Sequence, residues 1–456
     1  MTSGRLGPRI VVAGTHSGVG KTTVATGLMA ALRAAGHKPA PAKVGPDFID
    51  PGYHALACDR PPRNLDAWLC GPSAIPPLAT RAGEHSDVLV IEGVMGLFDG
   101  AGDQTPSSTA DIAKMLDAPV VLVVDASAMS GSVAALVHGF KTLDPTLRLA
   151  GVVLNKVGSA GHATLLREAL EPLEVPVLGA LPRDDRLSWR DRHLGLVPVA
   201  EQPEKVLASL SLLAGAVVEH LDLAAVIRIA SSAPANSAGP VPLPEEGPPV
   251  HVAVAAGRAF TFMYTDTVDA LEAGGATITT FDPLSDAKVP DADGVIIGGG
   301  FPEVHAAALS DNRGLLDDLQ AKAEAGTPIW AECGGLLLLA KSLDGHQMAG
   351  VLPAEGSMTD RLTLGYREAT TNSESLVGPA GTAFRGHEFH YSSIRPSGDA
   401  ITLRSRWGET NEGWSTPTLL ATYVHHHPGG DPGLVRAFLK VCTLRSALRR
   451  SIGIKS

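Results

Sequence analysis

The sequence predicts two doubly wound, mostly parallel α/β domains in one chain. Three observations point there. A glycine-rich loop over residues 13–23 stands between an apolar run and an alanine-rich helical stretch. Near-continuous Val/Leu/Ile runs then recur with helical segments between them, the pattern of parallel strands covered on both faces. A second series of such runs starts after a Pro-, Ser- and Ala-rich interval. At 456 residues the chain exceeds what one hydrophobic core ordinarily holds. The expected division is a nucleotide-binding domain over 1–228, a semi-extended linker over 229–249 and a second domain over 250–456.

Composition narrows the function classes. Hydrophobic residues make up 44% and charged residues 19%, which suits well-buried sheets. A net charge of −11 argues against nucleic acid or an anionic membrane as partner. The four cysteines, Cys58, Cys70, Cys333 and Cys442, form no C-x-x-C pair, so neither a disulfide framework nor a zinc site is expected. Met1–Pro8 carries no hydrophobic signal region, and no uncharged run reaches bilayer length. A cytoplasmic enzyme is the expectation.

The first element is the strand Ile10-Val11-Val12, followed by Gly14, Thr15, Gly18, Gly20, Lys21, Thr22 and Thr23, then a helix from Val24 to Ala35. Glycines allow backbone N–H groups to point at phosphates, and the helix N-terminus adds partial positive charge. Lys21 then reaches the β/γ-phosphates, and the Thr22 hydroxyl serves Mg²⁺. The spacing departs from G-x-x-x-x-G-K-[ST], since Thr15 stands where the first glycine belongs and Gly14 precedes it. ATP and Mg²⁺ are the expected cofactors.

A Gly/Pro-dense loop follows with Lys43, Asp47, Asp50 and His54. Loops on a rigid scaffold often carry function; the alternative is a solvated turn in which Asp47 and Asp50 only cap. The run 87–93 is a buried strand ending in Glu92-Gly93. Carboxyl ends of strands face the ligand crevice in open α/β sheets, so Glu92 is a candidate Mg²⁺ ligand. Further strands at 119–125 and 149–156 lead to Asn155-Lys156. That dipeptide resembles a base-recognition pair, Asn155 meeting the adenine edge and Lys156 stacking along it.

In the second half, strands are expected at 251–255 and 277–281, with a helix over 267–273. The run 293–297 opens into Gly298-Gly299-Gly300, an oxyanion-binding loop or a tight turn. Cys333 sits at an abrupt strand-to-helix junction, flanked by small residues. Such an elbow exposes a nucleophile, offers the Gly334 N–H to an oxyanion and favours thiolate at the helix N-terminus. Its base should be a histidine far downstream, in 385–392 or 422–428. Alternation along a strand puts His425 and His427 on one side, and either can serve Cys333.

Taken together, these motifs resemble a known family. Residues 15–23, Lys43-Val44-Gly45-Pro46-Asp47-Phe48-Ile49-Asp50-Pro51 and Glu92-Gly93-Val94-Met95-Gly96-Leu97-Phe98-Asp99-Gly100 are similar to the N-terminal half of cobyrinic acid a,c-diamide synthases, itself similar to dethiobiotin synthetase. Gly298–Glu303, Glu332-Cys333-Gly334-Gly335, Gly365-Tyr366-Arg367-Glu368 and Tyr423-Val424-His425 resemble the family's C-terminal class I glutamine amidotransferase domain. The resemblance implies ATP- and glutamine-dependent amidation of the a- and c-acetate carboxylates of a corrin in cobalamin biosynthesis.

By position it implies phosphate binding by Lys21 and the loop amides, and Mg²⁺ on Thr22, Asp47 and Glu92. Lys43 would face the transferring phosphoryl or the corrin carboxylate, and Asp50 the substrate. Cys333 would be nucleophile, His425 its base, and Gly299, Gly300 and Gly334 the oxyanion donors. The implied partners are glutamine and a corrin polycarboxylate, with a homodimer as the family-like assembly.

Two departures stand out. Other amidotransferases carry His-x-Glu, but position 427 is His427, which implies a Cys–His dyad. The family usually has Asp at about Gly257. Rival readings are a sibling tetrapyrrole amidase (nickel-sirohydrochlorin a,c-diamide synthase or cobyric acid synthase) and a ParA/MinD-like switch. The switch proteins place a lysine where His16 stands and need no elbow cysteine.

Overall fold

The computed structural model describes residues 4–102, 105–187, 191–192, 195–196 and 198–451. The chain divides into two compact units, Met1–Val241 and Pro242–Ser456. Among the described residues no helix is long and apolar enough to cross a membrane.

In the first unit the apolar runs become strands β1 (Arg9–Gly14), β2 (Pro39–Val44), β3 (Arg63–Leu65), β4 (Val88–Glu92), β5 (Val120–Asp125), β6 (Leu149–Val157) and β7 (Val177–Pro182). They form one sheet in the order β3-β2-β4-β1-β5-β6-β7, with every neighbouring pair parallel. β1 and β4 are buried along their whole length, as continuous Val/Ile runs require of a sheet covered on both faces. The order reverses around β1, so loops leaving the ends of β1, β4, β5 and β6 converge on one edge. Register places Val12 beside Glu92 and Gly14 beside Val123.

The loop helix, α1, spans Lys21–Ala34 and so starts three residues before the Val24 expected from the sequence. The following Asp50–Cys58 stretch is a second helix, α2, where a loop is expected. Pro51 is no obstacle there, because a helix's first turn needs no donor from it. Arg9 opens β1 and is fully buried, donating to the carbonyls of Leu116, Gly7 and Pro234. Those three acceptors satisfy a charge that burial alone would penalise heavily.

The interval expected as a linker from 229 begins inside a helix. α3 (Pro203–His220) packs along α1, and α4 (Leu223–Ser231) continues past residue 228. Asn236–Ser237 pairs with Arg5–Leu6, and the Ala238 N–H donates to the Gly4 carbonyl. This composition therefore packs against the first unit as far as residue 238.

The second unit carries β8 (Val250–Ala255), β9 (Ala276–Phe281), β10 (Gly294–Ile297) and β11 (Ile329–Glu332), then the helix α5 (Gly334–Leu339). The helix after β8 begins at Thr265, two residues before the expected start. Next come β12 (Glu355–Thr371), β13 (Ala383–Arg395), β14 (Ile401–Ser405), β15 (Gly408–Glu412), β16 (Trp414–Thr416), β17 (Leu419–Thr422) and β18 (His425–His426). One sheet runs β9-β8-β10-β11-β17-β16, parallel except for its last pair. β12, β13 and β18 belong to a second, largely antiparallel sheet that the sequence reading does not anticipate. Its strands are partly exposed and polar, so no continuous apolar run announces them.

Candidate active sites

In the first unit Gly18 and Gly20 take positive φ, +84° and +93°, which lets the loop wrap toward α1. Turning amides inward turns loop carbonyls outward, and these need donors. Asn155 and Lys156 supply them. Asn155 Nδ2 donates to the Val19 carbonyl at 2.9 Å, and Lys156 Nζ lies 3.3 Å from the Gly18 carbonyl and 2.7 Å from Asp125 Oδ2. A methyl group on Gly20 would collide with Asn155 Nδ2. The pair expected to read an adenine edge thus braces the loop. Both residues still line a cavity of about 510 Å³ with Gly18, Gly20, Lys21 and Thr22.

Thr15 Oγ1 lies 3.0 Å from His16 Nδ1, and Lys21 Nζ bends back to the His16 carbonyl at 3.2 Å. Burial, with Lys43 adding repulsion, brings the Lys21 ammonium down to about 8. Thr23, part-buried, lines the same cavity beside Thr22.

A dense charge cluster sits at the ends of β2 and β4. The Thr22 hydroxyl is 2.7 Å from Glu92 Oε1 and 3.2 Å from Asp50 Oδ2. Lys43 Nζ reaches Asp50 Oδ2 at 2.9 Å, Glu92 Oε1 at 3.0 Å and the Gly93 carbonyl at 3.0 Å. His54 Nε2 meets Glu92 Oε2 at 2.5 Å, both side chains being fully buried. Burial alone would raise the Glu92 carboxyl, but Lys43, His54 and Thr22 together hold it well below the carboxylate range. Asp50 is pushed up to about 8 by burial and by Asp47, against the pull of Lys43.

Asp47 is placed differently from the expectation. Its Oδ1 accepts the N–H groups of Ile49 and Asp50 at 2.8 and 3.1 Å, which starts α2. Asp50, expected beside the substrate, joins Glu92 in reach of Thr22. The hydroxyl and carboxylate oxygens of Thr22, Asp50 and Glu92 are hard donors that suit Mg²⁺, which takes one or two carboxylates and fills its remaining positions with phosphate oxygens and water. The sequence singles out His54 among the loop's polar residues but gives it no role. Its signal was its spacing from Asp50, four residues on, one turn along the same face of a helix.

In the second unit Cys333 has φ +50° and ψ −102°, an unusual backbone position for a residue with a side chain. Its N–H donates to the Thr422 carbonyl at 2.8 Å, fixing it beside β17. Cys333 is 4% exposed, and burial, reinforced by Glu303, pushes its thiol far up. A buried thiol of this kind needs a base to become a nucleophile.

His425 and Gly334, the residue after Cys333, both lie against the glycine loop that follows β10. A methyl on Gly299 would collide with His425 Cε1, and one on Gly334 would lie 3.0 Å from the Gly300 nitrogen. The Gly299 N–H, expected to serve an oxyanion, instead donates to the Phe262 carbonyl at 3.1 Å. A single N–H satisfies one good acceptor, so Gly299 contributes space for the His425 ring. The Gly300 nitrogen lies close to Gly334, the residue after the nucleophile.

His427 is held by Gly429, Asp266 and Tyr264. Its Nδ1 accepts the Gly429 N–H at 3.0 Å, and its Nε2 lies 3.7 Å from Asp266 Oδ2, against the Tyr264 ring. β18 ends at His426, so strand alternation does not extend to residue 427. His387, from the downstream segment that also held candidate bases, stands opposite His425 across β13 and β18. Burial, helped by His425, pushes it down to about 3 and leaves it neutral. Gly257, at φ +89°, has the Asp282 carboxylate pressed against the place where a Cβ would stand. That acidic group follows the last residue of β9.

Comparison with known proteins agrees with both units. Residues 10–197 match the CobQ/CobB/MinD/ParA nucleotide binding domain, and residues 251–432 match the CobB/CobQ-like glutamine amidotransferase domain. A protein of Streptomyces coelicolor named hydrogenobyrinate a,c-diamide synthase is 46% identical over 96% of this chain and 98% of its own. One of the same name from Thermobifida fusca is 45% identical, over 94% and 96%. A cobyrinate a,c-diamide synthase of Syntrophotalea carbinolica is 42% identical, over 95% and 98%.

Proposed function

Because the chain belongs to the family of hydrogenobyrinate and cobyrinate a,c-diamide synthases, we propose that it amidates the a- and c-acetate carboxylates of such a ring with ATP and glutamine. It is a glutamine-dependent ligase of cobalamin biosynthesis. The observation that carries the reading is the pairing, in one chain, of the Lys21–Thr22–Lys43–Asp50–Glu92 cluster with the Cys333 elbow and His425.

In the second unit His425 accepts the Cys333 proton as the sulfur attacks the glutamine carboxamide carbon. The oxyanion lies toward the N–H groups of Gly300 and Gly334. His425 returns the proton to the departing ammonia, and water then releases glutamate from the thioester. In the first unit a ring carboxylate takes the terminal phosphoryl group of ATP, and ADP leaves. Ammonia attacks the acyl phosphate, and phosphate departs as the amide forms. The loop amides and Lys21 hold the phosphates, while Lys43 balances charge where carboxylate and phosphoryl group meet. Thr22 and Glu92 would hold Mg²⁺, with Asp50 at the start of α2 or Asp47 in the turn before it. The ion would neutralise phosphate charge.

The test is product mass after incubation with ATP, Mg²⁺, glutamine and hydrogenobyrinate, then cobyrinate. The cobalt-free ring comes first because relatives named for it are 45–46% identical, against 40–42% for those named for cobyrinate. Two acid-to-amide conversions are expected. Cys333→Ala should lose them with glutamine and recover them with ammonium salts. Amidation of neither ring while ATP is still hydrolysed would overturn the reading.

A further inference from the structure

His427 is turned toward Gly429 and Asp266, and the carboxylate that faces His425 comes from another strand. We propose that Glu332, the residue immediately before the nucleophile, is the carboxylate that positions His425 and completes a Cys333–His425–Glu332 triad. Glu332 Oε2 lies 3.6 Å from His425 Nδ1. Its other oxygen accepts the His426 N–H at 3.3 Å, so the carboxylate is anchored to the backbone of the strand that carries the base. The separation is slightly longer than a hydrogen bond, as such contacts often are before substrate binds.

The arrangement follows from the sheet. β11 and β17 pair in parallel with Glu332 opposite Thr422, so the chain reaches His425 three residues beyond that rung. Cys333 then breaks the strand at its positive φ. The break frees Glu332 and Cys333 from strict alternation, and residues adjacent in sequence can act on the same histidine from two sides. A carboxylate at Nδ1 holds that nitrogen's proton, leaves Nε2 to face the sulfur, and stabilises the imidazolium once the thiol has given up its proton. The charged and titratable groups around the pair are His387 across β13, Glu303 and Glu388 near the sulfur, and Arg367, which is held by Glu388 at 2.5 Å.

Glu332→Gln is the test, since glutamine keeps an oxygen for the His426 N–H and removes only the charge. The inference rests on the glutaminase reading, which wild-type glutamine hydrolysis checks by itself. The variant should lower kcat for glutamine hydrolysis between about 10- and 1000-fold, with KM within about twofold. The pH profile of Cys333 alkylation should move up by about one unit, because thiolate formation loses its support. Ammonia-driven amidation should be unchanged, which certifies the fold. A kcat within twofold of wild type, an unmoved alkylation profile, or a parallel loss of ammonia-driven amidation would each overturn the assignment.

Discussion

Glu92 in the first unit and Glu412 in the second are both buried carboxyls, with opposite outcomes. Glu92 accepts from Lys43, His54 and Thr22 and is held ionised. Glu412, at the end of β15, has the Thr422 hydroxyl and the Tyr423 N–H as partners, and burial pushes it up to about 8. Burial acts on both in the same direction. Cationic partners reverse it in one place, and neutral donors do not in the other. The difference matches the proposed tasks: the first site would handle phosphate and carboxylate charge, and Glu412 holds the Thr422–Tyr423 segment between Cys333 and His425.

The largest test removes the cation. Lys43→Met should cost the first unit about 3–5 kcal/mol, because it strands the buried Glu92 carboxylate, and should lower ammonia-driven amidation by at least about 100-fold. Urea unfolding and product mass read the two effects. A variant as stable as wild type would mean Glu92 is neutral in the fold, and the contrast would fail.

His54→Ala is smaller, removing one charge-assisted hydrogen bond from Glu92. A loss of about 1.5–3 kcal/mol in the same unfolding measurement is expected. A neutral outcome would assign the ionisation of Glu92 to Lys43 and Thr22 alone.

Glu412→Gln sharpens the other side. Between pH 4.5 and about 8 the folded protein keeps a proton that the unfolded chain has released, so wild-type stability falls as pH rises through that window. The substituted amide does not titrate. Variant and wild type should match near the lower end of the window, and the variant should gain about 1 kcal/mol for each pH unit above it. Subtracting the two stability curves isolates this one group from Asp50, which titrates in the same range. A flat difference would place Glu412 with Glu92 as an ionised carboxylate.

Much of both sites was legible in the residues because the determining forces are short-ranged. Glycine alone settles comfortably at the φ values of Gly18 and Gly20, and the run Ile10–Val12 demands a strand covered on both faces. Cys333 between a strand and two glycines announces an elbow within a few residues. Lys43, Asp50 and Glu92 were legible as polar groups at strand ends. What each one touches was not, because that depends on β2 and β4 lying side by side.

Tertiary structure alone decided the pairings. Asn155 became a brace because the loop's outward carbonyls fall against the end of β6. Gly299 lost its amide to Phe262, a partner from a separate loop. His425 rather than His427 faces the glycine loop because β18 stops after two residues, and Glu332 reaches it because β11 and β17 are neighbours. Backbone conformation is set by a residue and its immediate neighbours, so sequence determines it. A side chain's partner is set by which strands pair and in what register, and that emerges only when the whole sheet has formed.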